Sequence, residues 1–138
     1  MPAMERHLLL MLAAIVIGGC SQTQQSAKCP SVLPGWTIPR DGMDPHGVHS
    51  AVTLSGGKLV WDGEQVTHDE FQRRLRLAPT LNPVLHVLFD PSGATSCDQA
   101  KHVRDEIDRL ADCRGKGRCG QGKLDEFKQF RQGGRSGT

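Results

Sequence analysis

Along residues 48–111 the apolar positions follow two rhythms, every second residue and every third or fourth, and the switches between them mark out five elements. In VHSAVTLSGGKLVW, Val48, Ser50, Val52 and Leu54 share one side of an extended chain; Gly56-Gly57 supplies a tight turn, and Leu59 and Trp61 alternate on the return. Alternation on both sides of a Gly-Gly pair predicts a β-hairpin, because two residues with positive φ match the twist of the strands they join. Asp62-Gly63 predicts a second tight turn, and Val66 closes the strand pattern. From Thr67 the spacing becomes helical: Thr67 and Glu70 have the form of a capping box, Phe71, Leu75 and Ala78 make an apolar stripe, and Pro79 ends the helix. PVLHVLFD interleaves Val84, His86 and Leu88 with Leu85, Val87 and Phe89, which predicts a central strand covered on at least one face. Ser96 and Gln99 repeat the capping signature, and Cys97, Ala100, Val103, Ile107, Leu110 and Ala111 follow at helical spacing to Asp112. The order ββαβα predicts an α+β fold: a small two-layer sandwich with both helices on one face of a short sheet.

The flanks are patterned differently. Leu8 to Ile17 is a continuous apolar run, far short of the roughly 20 helical residues that a bilayer core requires. With Arg6 upstream and small residues downstream, it has the layout of a secretory signal. Ile17-Gly18-Gly19-Cys20 resembles the lipobox of bacterial lipoproteins, in which the cysteine thiol is diacylated and the chain is cut just before it. That resemblance implies a signal peptide over 1–19, lipidation of Cys20, and a mature protein held to the membrane by its lipid. Ser21 in place of Asp after the cysteine points to the periplasmic side of the outer membrane rather than the inner one. Residues 20–47 carry Pro30, Pro34, Pro39 and Pro45 among Gln, Ser and Gly and read as an extended tether, since proline fixes φ and removes a donor. The domain then covers 48–113, and 114–138 is a basic, Gly-rich tail.

Charge separates the same regions. From Cys20 to Cys113 acidic residues outnumber basic ones, 12 to 9; from Arg114 to Thr138 basic residues outnumber acidic ones, 7 to 2. Export and the small aromatic complement, with no Tyr, argue against nucleic acid as a partner of the tail, which reads as a solvated end. Lipidation of Cys20 leaves Cys29, Cys97, Cys113 and Cys119, an even set in an oxidising compartment, where disulfides persist. Helix length prunes the three connectivities: Cys97 and Cys113 at the two ends of the second helix stand about 24 Å apart at 1.5 Å per residue, against the ~7 Å that a disulfide tolerates. Pairing 97 with 119 would stretch RGKGR back along the helix. The expected bridges are Cys29–Cys97 and Cys113–Cys119.

VTLSGGKLVWDGEQVTHDEFQRRL followed by NPVLHVLFDPSGATSCDQAKHVRDEIDRL resembles the periplasmic domain of the ExbD/TolR biopolymer-transport family over residues 48–112. The resemblance lies in the order strand, turn, strand, Asp-Gly turn, helix opening on Thr, strand ending in Asp, long helix. It implies an interaction domain that works beside an ExbB/TolQ-type proton channel and an envelope protein partner, and it leaves a homodimer open. Two departures stand out. The run Leu8 to Ile17 holds no Asp or Glu, so the family's intramembrane carboxylate has no counterpart. After the second helix the family usually adds a last strand, whereas CRGKGRCGQGKLDEFKQF offers Gly, charge and at most a short helix.

Other constellations carry little chemistry. GRCGQGK fits the G-x4-G-K part of a phosphate-binding loop but has Leu124 where a magnesium-binding Ser or Thr belongs. His46 with His49, or His102 with Cys97, Cys113 and Cys119, lack the paired spacing of structural zinc, and His86 reads as a partly buried, hydrogen-bonded strand residue. No nucleophile, base and orienting acid fall into a recognisable arrangement, which argues against an enzyme, and no cofactor or metal is expected. Two functions remain: an ExbD/TolR-like interaction domain accessory to proton-motive-force-coupled transport, binding its partner through the sheet's open side near His49 and Lys58 or through an exposed edge that accepts an added strand, or a structural lipoprotein attached to peptidoglycan or the envelope.

Overall fold

The computed structural model describes residues 29–41, 47–114 and 116–127. Its regular elements are β1 (Val48–Ser55), β2 (Lys58–Trp61), β3 (Glu64–Gln65), α1 (His68–Leu77), β4 (Leu85–Asp90), α2 (Cys97–Leu110) and β5 (Cys119–Gln121). They form one mixed sheet in the order β3-β2-β1-β4-β5, and the fold is α+β.

The hairpin forms where the glycines require it: Ser55 pairs with Lys58, and Gly56 and Gly57 both take positive φ, 54° and 78°. A two-residue turn with both φ positive matches the strand twist. Asp62 and Gly63, at φ 49° and 88°, repeat the turn and send Glu64 and Gln65 back along β2. β1 then runs parallel to β4, with Val48 opposite Leu85 and Thr53 opposite Asp90, and β4 parallel to β5. A parallel neighbour needs a crossover, which α1 and α2 provide.

Alternation sorts the strands. Ser50, Val52 and Leu54 of β1 are buried, as are Trp61, Val87 and Phe89, and the apolar ones among them join Phe71 and Leu75 of α1 and Ala100, Val103 and Ile107 of α2 in a single core. The expected α1 stripe of Phe71, Leu75 and Ala78 is fully buried. Thr67 caps α1 by accepting from the Glu70 N–H, but the Glu70 carboxylate turns to Arg73 and Arg74. Pro79 does not end the turn abruptly; the chain tightens into a 3-10 turn over Ala78–Thr80. At α2, Ser96 accepts from the Gln99 N–H, and the Gln99 side chain accepts from the Thr95 N–H.

Two boundaries differ from the sequence reading. Residues 29–41, expected within an extended tether, pack on the body: Trp36 is 6% exposed, within the core. Thr37 donates its N–H to the Cys119 carbonyl and accepts from the Gln121 N–H, so this strap lies along the outer edge of β5. Prolines suit such a strap because it needs only a few backbone donors. Residues 119–121, expected within the tail, are a strand. Three residues with glycine at the centre show no alternation to read, and β4 supplies the ladder that orders them: the Val87 N–H reaches the Arg118 carbonyl, and the Gly122 N–H reaches that of Phe89. The signal segment and Cys20 lie outside the described residues.

Candidate functional site

His49 and Lys58 sit on the face of β1 and β2 that alternation turns away from Val52 and Leu54. The structure does not bring them together. His49 lies near the start of β1, whereas Lys58 pairs with Ser55 at its end; six residues of strand separate the two by about 20 Å. Lys58 is exposed and His49 half-buried. His49 stands beside His86 across the parallel pair, ring centroids 5.1 Å apart and nearly perpendicular. His86 is half-buried as expected, but its Nδ1 has no hydrogen-bond partner among the described residues. Toward β5 this face is covered. Leu88 and Phe127 are buried, and a Cβ added at Gly120 would meet Thr37 Oγ1 at 2.9 Å, Leu88 Cδ2 at 3.1 Å and Phe127 Cζ at 3.2 Å.

All four expected cysteines pair, Cys29 with Cys97 and Cys113 with Cys119, at Cα separations of 5.6 and 5.4 Å. The first bridge belongs to a larger fastening of the strap. Cys97, Arg104 and Asp108 are seven and eleven residues apart, about two and three turns at 3.6 residues each, and therefore share one side of α2. Each takes hold of the strap: Cys97 bridges Cys29, the Arg104 guanidinium donates to the Ser31 carbonyl, and Asp108 Oδ1 accepts from Trp36 Nε1 at 2.9 Å. The opposite side of α2 presents Glu106, 6% exposed, which accepts from Gln72 of α1 and is bonded to His68 at 3.0 Å. Charge on a helix interior-facing side needs such partners, since an unpaired buried ion costs several kcal/mol.

A cavity of about 830 Å³ opens at the carboxyl ends of β4 and β5, between the strap, the Asp90–Ala94 turn, the first turn of α2 and the segment after β5. The turn passes tightly over β1: a Cβ on Gly93 would fall 1.7 Å from the Leu54 carbonyl oxygen, so only glycine fits. Asp90 ties the region together, Oδ1 accepting from the Ser92 N–H and hydroxyl and Oδ2 from the Leu124 N–H. Apart from Asp90 at the end of the strand pattern, the paired Cys29 and Cys97, Ser96 at the helix cap and Ala100 on the helical stripe, the lining residues follow no sequence pattern. A tryptophan set among prolines, Leu33-Pro34-Gly35-Trp36, was the one signal that the strap is not solvated.

Of the histidines and cysteines weighed as metal ligands and set aside, His46 lies outside the described residues; among the described residues no group of three or more His, Cys, Asp or Glu could hold an ion. Nor is any described helix long and apolar enough to cross a membrane. Shifted pKa values fall on surface ion pairs instead. Hydrogen bonds from Arg73 and then Arg74 lower the Glu70 carboxyl to about 2, and a hydrogen bond from Lys116 lowers that of Asp112. No family model matches the chain, and no curated protein or solved structure matches it.

Proposed function

We propose that the protein is a lipid-anchored periplasmic interaction domain of ExbD/TolR type, accessory to proton-motive-force-coupled transport across the envelope, and not an enzyme. The observation that carries this reading is β5: a last strand follows the second helix, where the resemblance expects one and the sequence pattern offered none. Two disulfides add support, since such bridges persist in the oxidising compartment that an exported lipoprotein enters. Lipidation at Cys20 places the mature protein on the periplasmic side of the outer membrane. The partner is an envelope protein, including an ExbB/TolQ-type complex, and it docks on the β1–β2 half of the sheet face that carries His49, Val60 and Lys58. This half is what the strap and Phe127 leave uncovered, while β5's outer edge is already taken by Thr37.

Crosslinking in intact cells followed by pull-down tests the reading. The wild-type chain should capture one envelope protein, and Lys58→Glu should weaken capture several-fold while the melting temperature stays the same. Equal capture by the variant overturns the surface. Recovery with purified peptidoglycan alone, and with no protein partner, would show a structural lipoprotein instead. Mass spectrometry of the mature N-terminus should find acylated Cys20 followed by Ser21, and an uncut Met1 terminus would refute the anchor.

A further inference from the structure

The two disulfides differ in what can reach them. Cys113 and Cys119 are 0% exposed and belong to the core. Cys97 is exposed and Cys29 half-buried, and both line the cavity of about 830 Å³ beside α2. Exchange of a disulfide begins when a thiolate attacks one of its two sulfurs, so its rate follows access to that sulfur. A small thiol fits a cleft of this size, whereas the buried pair is reached only by opening the core around it. Within the accessible bridge Cys97 is the partner to attack, since Cys29 is the less exposed of the two and is followed by the buried Pro30.

The segment that this bridge fastens is held separately from the rest of the strap. From Cys29 to Val32, two hydrogen bonds add to the bridge: Gln121 Nε2 donates to the Pro30 carbonyl at 2.7 Å, and the Arg104 guanidinium donates to the Ser31 carbonyl. Val32 itself is 41% exposed. Leu33 packs against the core, and beyond it Trp36 is bonded to Asp108 and Thr37 to β5. Opening the bridge therefore frees one end of the strap, which is a wall of the cavity, and leaves the ties from Leu33 onward in place.

We propose that Cys29–Cys97 is a thiol-exchange site, at which a dithiol reductant entering the cavity releases the strap from Cys29 to Val32 while the rest of the fold stays closed. In the first step a thiolate of the reductant attacks Cys97 Sγ; the bond between the two Sγ atoms breaks, and Cys29 leaves as a thiolate that takes up a proton. In the second step the reductant's other thiolate attacks the reductant's own sulfur in the mixed disulfide. Cys97 then leaves as a thiolate and is protonated in turn, and the reductant departs as its disulfide, two electrons having passed to the bridge. The site stands independently of the transport reading. The test takes the full-length oxidised chain, its free thiols first blocked with N-ethylmaleimide, and treats it with dithiothreitol under native conditions. Samples are acid-quenched, desalted, labelled with heavy N-ethylmaleimide and mapped by mass spectrometry. Cys29 and Cys97 should take the heavy label together, at least about tenfold faster than Cys113 and Cys119, because access sets the rate. In guanidinium the gap should close. With the monothiol 2-mercaptoethanol, the adduct caught early should sit on Cys97 and the heavy label on Cys29. Tryptophan emission should keep its native wavelength while the first bridge is open, since Trp36 stays in place. Equal rates for the two bridges in the native chain, a gap that persists in guanidinium, an adduct on Cys29, or an emission shift that accompanies the first reduction each overturns the proposal.

Discussion

The two helices carry similar sequence patterns, a capped start and an apolar stripe, yet they are buried to different depths. α1 buries Phe71 and Leu75 and leaves its charges outside, where Glu70 pairs with Arg73 and Arg74 at the surface. α2 buries Ala100, Val103 and Ile107 on the sheet and, in addition, Arg104, Glu106 and Asp108. The difference is what lies beside each helix. α1 has solvent on one flank, whereas α2 has α1 on one side and the strap on the other. A polar residue on a helix is therefore no guide to exposure until its neighbours are known, and when buried it marks where another segment docks.

The comparison breaks most directly at Trp36. Replacing it with alanine should cost about 3–5 kcal/mol, the range for a large buried aromatic, measured by urea unfolding; a strap that behaved as a tether would lose less than ~0.5 kcal/mol, as surface changes do. Next comes the bridge that pins the strap to α2. Changing both Cys29 and Cys97 to serine should cost about 2–4 kcal/mol, seen as a lower denaturant midpoint in the oxidised protein and no difference from wild type once both are reduced. Asp108→Ala removes the acceptor of the Trp36 indole and should cost about 1–3 kcal/mol, the penalty of a buried donor without a partner, with a change in tryptophan fluorescence.

The smallest effect belongs to α1. Glu70→Gln should leave the midpoint at neutral pH close to wild type, because exposed ion pairs contribute little. Its mark is on the acid limb. The Glu70 carboxyl is lowered from 4.5 to about 2 in the folded chain, so its contribution is complete above the higher value and is lost as pH falls through the lower one. Wild type and variant should converge in thermal melts below that range, and a gap that widened on acidification would contradict the assignment.

Most of the body was legible. Period-two and period-three-to-four spacing placed β1, β2, α1, β4 and α2, because each buries one face or both and the burial is written in its apolar positions. The glycine pairs gave the turns for the same local reason. Of the candidate docking residues, strand pattern placed His49 and Lys58 on one face, but the distance between them follows from the register of the hairpin.

By itself, then, the sequence determined the α+β class, the caps and turns, and the cysteine pairing, since each depends on local geometry: a period, a φ sign, the length of one helix. Tertiary structure alone decided β5, the strap and the cavity. β5 exists because β4 offers an edge and Cys113–Cys119 turns the chain toward it. The strap is ordered because Trp36 finds the core and Asp108, the latter 72 residues along the chain, and no local pattern encodes either contact. The cavity is the space these two segments enclose with the first turn of α2, a feature of how elements meet rather than of any one of them.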